Sequence, residues 1–378
     1  MTDHPNGVPS RPRILFLGRT DIVGLSQHLA RLADAAYFRQ SKKSEAVPPE
    51  YQPLKLRDLW RLRGELRAGR YDLVIACAND DPIWRIDRNG FANLRKVLKK
   101  LARWPASLAL YLVPWMLKKT DVPLAIYEWE DNTAIARKNW GLLDRSTLYF
   151  KTQTPRNPFK AFFFQDPRND DIFNIIRRPR YVERVEKIRP FTVGITVPEN
   201  WSSLQNVEKK TDIFFAGPVG YSYVRAEGLR QLEALREQGY VIDLVVTDRQ
   251  PRLAPDEFLR RCAQAWLSWS PEGAGWDCAR HYWGPLMGSV PLLNHPDTRR
   301  HRPLLDGVHA FYYGVESDDF QRVAKLALAD KPRLREMARA GEAHVRANHT
   351  VPVLAEYLIS ETMAAAAAKK SAPRTAKP

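Results

Sequence analysis

At 378 residues the chain exceeds what one hydrophobic core usually supports, so two domains are expected. A hydrophobic share of 44% and a charged share of 27% are those of an ordinary globular protein and exclude a low-complexity or fibrous chain. The formal charge of +16 favours an anionic partner, whether a phosphorylated ligand, an anionic membrane surface or nucleic acid, and says little about the fold.

Three cysteines, Cys77, Cys262 and Cys278, stand far apart with no Cys-x-x-Cys pair, which argues against a disulfide framework and a zinc site. The first residues lack a basic stretch followed by an apolar run, so no signal peptide is expected and the cytoplasm is the expected location.

In chain order, residues 13–17 read as a buried strand ending at Gly18, and Ile22, Leu25, Leu29, Leu32 and Ala36 then share one helical face. Further strands are expected at 73–76, 123–127 and 147–150, and one more at 192–197. Strands that are apolar throughout, separated by helices, imply a parallel sheet covered on both faces. The stretch 177–206 is rich in Arg and Lys, then in Pro, Ser and Asn, and sets a domain boundary near 205. A second α/β series follows, with strands expected at 212–216, 241–246, 265–269, 290–293 and 309–313. Helices are expected at 320–329, 332–347 and 353–363. The organisation is therefore α/β, two doubly wound Rossmann-like domains at 1–205 and 206–350, a C-terminal helix at 351–368 and a basic disordered tail at 369–378.

The most informative stretch is 269–293, which reads as strand, glycine loop, short helix, glycine, strand. Gly273 and Gly275 let the backbone approach a ligand, and Asp277 can cap a helix whose free N–H groups point into the same space. The spacing Gly-x-Gly-x-Asp-x-x-Arg, followed by Gly288 and Val290-Pro291, resembles the donor-site segment of GT-B glycosyltransferases, particularly exostosin-like and group-1-like members. The resemblance implies two Rossmann-like domains facing across a cleft, a nucleotide-sugar donor and a glycan or lipid-linked acceptor. In those families a glutamate three residues after the arginine holds the ribose; here that position is Trp283. Gly284 and Pro285 follow, so the helix is expected to end or kink near Trp283. Trp283 can stack on a base or sugar, or pack in the core, and Glu272 can take the ribose instead.

The run 212–220, with Gly217 and Gly220, followed by Arg225, resembles the GT-B segment in which a glycine loop and a basic residue meet the donor diphosphate. The leaving nucleoside diphosphate gains negative charge as the glycosidic bond breaks, and fixed cations and N–H groups stabilise it. Arg225 and Arg280 are the candidates for that task, against the alternative of solvated surface arginines. Ser270, Gly273 and Gly275 would cradle the donor through backbone groups, Asp277 would cap the helix or accept from a sugar hydroxyl, and His281 would add a donor contact. In the first domain, 127–132 places carboxylates after a strand, at the edge where open α/β sheets bind ligands. Asp131, then Glu130, with Asp21 as rival, are the candidates for the base that deprotonates the acceptor hydroxyl, against the alternative of plain loop residues and caps of a helix over 133–140. No Asp-x-Asp metal motif stands out: Asp80-Asp81 and Asp170-Asp171 lack its context, so neither a catalytic metal nor a cofactor is expected.

Residues 99–119 carry an apolar run of about fourteen residues, too short to span a bilayer, with Trp104 and Trp115 near its ends and lysine pairs outside them. That is the pattern of a segment lying in a membrane interface, with a buried helix as the alternative. The aromatic-rich 159–164 fits an apolar surface nearby. The resemblance implies transfer of a sugar, in surface polysaccharide or lipid-linked glycan synthesis, and the charge with residues 99–119 adds the expectation that this happens at the cytoplasmic membrane face. Two rivals stand beside it: a basic nucleic-acid-binding protein, suggested by the arginine-rich 177–189 without any recognised module, and a non-catalytic relative that has lost the donor site.

Overall fold

The computed structural model describes residues 11–19, 24–39, 51–78, 111–162, 179–204, 207–220, 222–316 and 318–371. The chain divides into two compact units. The first comprises Met1–Glu128, Ala136–Phe150 and Tyr357–Pro378; the second comprises Trp129–Ile135 and Lys151–Glu356. Where the sequence suggests a boundary near 205, residues 151–204 pack with the second unit. The reason is hydrophobic: Val193 and Ile195 join a core with Phe214, Val245 and Leu293, and Ile195 exchanges backbone hydrogen bonds with His349 and Val351.

The first unit is built on strands β1 (Ile14–Arg19), β2 (Ala35–Arg39), β3 (Tyr51–Pro53), β4 (Leu73–Cys77), β5 (Leu124–Glu128) and β6 (Leu148–Lys151). Within this unit the sheet runs β3-β2-β1-β4-β5-β6, while the short strands β7 (Thr154–Pro155) and β8 (Ile188–Pro190) belong to the second unit. Pairings β1–β2, β2–β3, β1–β4 and β4–β5 are parallel. Every residue of β4 and β5 is buried, Glu128 at the end of β5 included, as expected of strands in a doubly covered sheet. The first helix is shorter than its pattern suggests. It spans Leu25–Leu32, and Ala36, placed by the sequence on the same helical face, belongs to β2. The extended Ala33 ends the helix and the chain turns directly into the strand.

The second unit carries β9 (Thr211–Gly217), β10 (Ile242–Val246), β11 (Ala265–Trp269), β12 (Val290–Asn294), β13 (Thr298–Arg299) and β14 (Phe311–Tyr313). Its parallel sheet runs β10-β9-β11-β12-β14. Helices Tyr223–Glu237, Pro255–Gln264 and Arg280–Leu286 connect successive strands. From β9 the chain moves to β10 on one side, and β11 then lies on the other side of β9. The loops leaving the carboxyl ends of β9 and β11 therefore flank the point where strand order reverses, which is where open α/β sheets bind ligands.

The strand expected at 192–197 does not form: only an isolated bridge between Ile195 and Thr350 is present. Gly194 holds φ at +67°, outside the extended region, and breaks the run. At the C-terminus, helix Val351–Ser371 continues through Lys369 and Lys370, which the sequence assigns to a tail. That helix is long and apolar enough to cross a membrane by length and composition, but its Leu354, Ala355, Leu358 and Thr362 are fully buried in the protein. Asp21, residues 79–110, Asp170-Asp171 and the last seven residues lie outside the described residues.

Candidate functional site

Two glycines of the second unit are glycines because arginines occupy the space a side chain would need. A Cβ on Gly217, the last residue of β9, would fall 2.8 Å from Arg280 Nη1. A Cβ on Gly273 would fall 2.6 Å from Arg225 Nη2. Arg225, near the start of helix Tyr223–Glu237, is only 3% exposed. Its Nε donates to Glu272 O at 2.7 Å and its Nη1 to Pro218 O at 2.9 Å, tying the β9 loop to the β11 loop. Arg280 Nη1 lies 3.5 Å from Ala216 O, and its guanidinium sits over the Phe215 ring at 5.6 Å. The Arg280 Nε is buried without a hydrogen-bond partner among the described residues. Ala216 and Pro218 are two residues apart, so about 7 Å of backbone separates the carbonyls that the two guanidinium groups address.

The glycine loop after β9 is shaped from within the chain. Asp248, just beyond β10, accepts from Val219 N at 2.6 Å and Gly220 N at 2.8 Å. These backbone hydrogen bonds hold its carboxyl below the ordinary carboxylate range. The amides of Val219 and Gly220, in the loop where the resemblance expects the diphosphate, thus hold an aspartate, and Arg225 and Arg280 are the cations of the neighbouring loops.

Glu272 is held on both sides by Asn294 at the end of β12: its N donates to Asn294 Oδ1 and its Oε2 accepts from Asn294 Nδ2, both at 2.9 Å. Ser270 is buried, with Oγ 2.7 Å from His281 Nδ1. His281 is buried too, and its Nε2 donates to Trp276 O at 2.7 Å. The His281 side chain is therefore turned inward and is not the donor contact the sequence suggests.

Asp277 does not cap the following helix. The cap residue is Ala279, and the Asp277 carboxylate accepts instead from Val193 N at 2.8 Å and from the Tyr282 hydroxyl. Burial raises its pKa, partly offset by His281 and these hydrogen bonds. The helix, Arg280–Leu286, also runs past Trp283 with Pro285 inside it. In so short a helix the proline forfeits a single hydrogen bond. Gly284 lets the helix press against β11, since a Cβ there would stand 2.0 Å from Ser268 Oγ. Trp283 itself is partly buried against the core that contains Phe214 and Leu286.

Residues 129–135 belong to this same unit, and they bring Asp131 to the second glycine loop. A Cβ on Gly275 would lie 3.1 Å from Asp131 Cα and 2.5 Å from Gln153 Nε2. Asp131 reaches solvent, yet the surrounding protein strips enough hydration to raise its carboxyl above the usual range, with Arg225 pulling the other way. Glu130 accepts from Thr152 Oγ1 through its backbone carbonyl at 3.4 Å. The helix expected over 133–140 is replaced by a 3-10 turn at Arg137–Asn139 and a helix at Trp140–Arg145. Among the described residues, no three His, Cys, Asp or Glu side chains are arranged to hold a metal ion.

No protein-family model matches the sequence, and no curated protein does. Solved structures share the architecture, among them the following two. A glycosyltransferase from Rickettsia africae ESF-5 is 10% identical, with a TM-score of 0.55 over 94% of this chain and 99% of that one. Anabaena HepE, solved in complex with UDP, is 12% identical, with a TM-score of 0.50 over 93% and 99%. This chain has the GT-B glycosyltransferase fold.

Within the GT-B frame the structure brings Gly217, Arg225, Glu272, Gly273, Gly275, Arg280 and Asp131 around neighbouring loops of one unit. Sequence reasoning missed Gln153, Asn294 and Asp248. Gln153 is 1% exposed and fastens the loop by accepting from Trp276 N at 3.1 Å. The nearest available signal was their position just after expected strands.

Proposed function

We propose that the chain is a glycosyltransferase that takes a nucleotide-sugar as donor. The observation that carries this is the pair of glycine–arginine contacts, Gly217 with Arg280 and Gly273 with Arg225, at the strand-order switch of a GT-B unit. The cost of burying a guanidinium nitrogen without a partner, as at Arg280 Nε, is offset when an anion binds. A sugar diphosphate supplies that anion, and the charge it gains as the glycosidic bond breaks falls beside Arg225 and Arg280. That HepE has this fold and was solved with UDP supports a nucleoside diphosphate as the ligand. Asp131, with its raised pKa and its place against Gly275, is the group proposed to take the acceptor's proton.

A basic, aromatic surface in the first unit supports action at an anionic membrane face on a lipid-linked or surface glycan. Arg57, Trp60, Arg61 and Arg67 lie on the exposed face of helix Leu56–Arg67, and the Trp60 ring packs 4.9 Å from Trp115. Lys118 and Lys119 are exposed nearby in sequence to Trp115. Rings at headgroup depth beside cations suit anionic lipid.

Calorimetric titration with uridine, guanosine, thymidine and adenosine diphosphate sugars tests the donor assignment; no heat with any of them would count decisively against it. Co-sedimentation with anionic and neutral vesicles tests the membrane assignment, and full recovery in the supernatant from both would end it.

A further inference from the structure

The β11 loop also holds a thiol that the proposed donor binding does not use. Cys278 Sγ lies 3.5 Å from His281 Nδ1 and 3.7 Å from Ser270 Oγ. The Trp276 carbonyl can only accept, so His281 Nε2 carries a proton, and Nδ1 is left to face the hydroxyl and the sulfur. Arg280 stands two residues along the chain as a second cation.

Burial pushes the Cys278 thiol up, but His281 and Arg280 outweigh it and bring the group down to about 6. Burial pulls the His281 imidazole down, and the charge of Cys278 more than offsets it, so that group is raised. The other two cysteines are unlike it. Cys77 and Cys262 are 1% and 2% exposed, and burial pushes Cys262 up, whereas Cys278 is partly exposed. A thiol on a partly exposed residue, within 3.5 Å of an imidazole nitrogen and two residues from a guanidinium, has the surroundings of a reactive cysteine, not a structural one.

We propose that Cys278 is a site of covalent thiol modification that reacts with low-molecular-weight disulfides and other soft electrophiles, with His281 and Ser270 as the residues that position its sulfur. In the exchange the Cys278 sulfur attacks one sulfur of the small disulfide and a new S–S bond forms. The original S–S bond breaks, and its electron pair leaves on the departing thiolate, which takes a proton from solvent. Cys278 is oxidised, the small disulfide is reduced, and an added dithiol reverses the step. The proposal rests on the surroundings of the sulfur and not on the assignment of a sugar donor.

Alkylation of the full-length protein by iodoacetamide from pH 5 to 9, with the modified peptides mapped by mass spectrometry, tests it. Cys278 should be alkylated ahead of Cys77 and Cys262, with a rate midpoint near pH 6. At pH 6 about half of it is thiolate against roughly 0.3% of a free thiol, and the weaker nucleophilicity of a low-pKa sulfur leaves a net advantage of about tenfold. Oxidised glutathione should add one group at Cys278 that dithiothreitol removes. His281→Gln should move the midpoint up by about a unit or more. No alkylation of Cys278 in the folded chain, or a wild-type midpoint at about 8.5, the value of an unperturbed thiol, overturns the proposal. A folded His281→Gln protein with an unmoved midpoint removes His281 from it.

Discussion

Replacing Gly273 by alanine probes the contact on which the donor reading depends. The new Cβ would stand 2.6 Å from Arg225 Nη2, about 0.8 Å inside the 3.4 Å at which ordinary contact begins. An exposed arginine would swing aside freely, but Arg225 is 3% exposed and fixed at 2.7 Å to Glu272 O and 2.9 Å to Pro218 O. A displacement of that size stretches the shorter bond to the limit of hydrogen bonding. Losing one hydrogen bond to a charged group costs about 1.5–3 kcal/mol. If the guanidinium must be in place for the diphosphate, the affinity for UDP falls roughly ten- to a hundredfold. Gly273 is not among the glycines with positive φ, so alanine adds no backbone strain and the effect is steric. Calorimetry with UDP, alongside a thermal melt to establish folding, reads the result. A folded variant that binds UDP within twofold of the parent would refute the assignment of Arg225 to the donor.

Asp131→Asn should lower transfer by about a hundredfold or more while leaving UDP affinity intact, because a proton acceptor is removed and no cation is. In the parent, the acid limb of the rate profile should lie above the ordinary aspartate range, as the raised Asp131 pKa requires; equal loss of UDP binding would make it a binding residue instead. Stability should fall as acid is added below pH 6.5. Burial holds His349 down to about 3 and His301 to about 4, so both are neutral when folded and take up protons on unfolding. Their contribution is complete above the unfolded value near 6.5 and is lost progressively toward the folded values, at most about 2 kcal/mol per histidine between pH 7 and pH 5. Urea melts at the two pH values check this, and His349→Gln, which can still donate to Arg302 O, should flatten the difference; an unchanged difference would rule His349 out. Gly228→Ala should destabilise although alanine is the better helix former by about 1 kcal/mol. Its Cβ would lie 2.1 Å from Cζ2 of Trp269, a ring 1% exposed, and such overpacking costs about 1–3 kcal/mol. A urea midpoint at or above that of the parent would contradict this packing.

Periodicity made most of the fold legible. Runs such as 265–269, apolar but for Ser268, and 290–293 are bounded by glycine, proline or polar residues, and they form β11 and β12 with little change at their ends. The failures are local conflicts. Ala36 fits a helical stripe as well as it fits β2, and 192–197 is apolar enough for a strand until the positive φ of Gly194 interrupts it.

Sequence by itself determined the parallel α/β architecture of both units, the glycine loops after β9 and β11, and the two arginines that belong to them, because burial pattern and backbone freedom are written in neighbouring residues. Tertiary structure alone decided what those groups touch. Asp248 takes the amides of Val219 and Gly220, Gln153 fastens Trp276 from more than a hundred residues away, and Asp277 turns from capping a helix to holding Val193 and Tyr282. Hydrogen bonds of that kind are set by distance and angle between segments far apart in the chain, and no local spacing encodes which of several polar side chains reaches a given amide first.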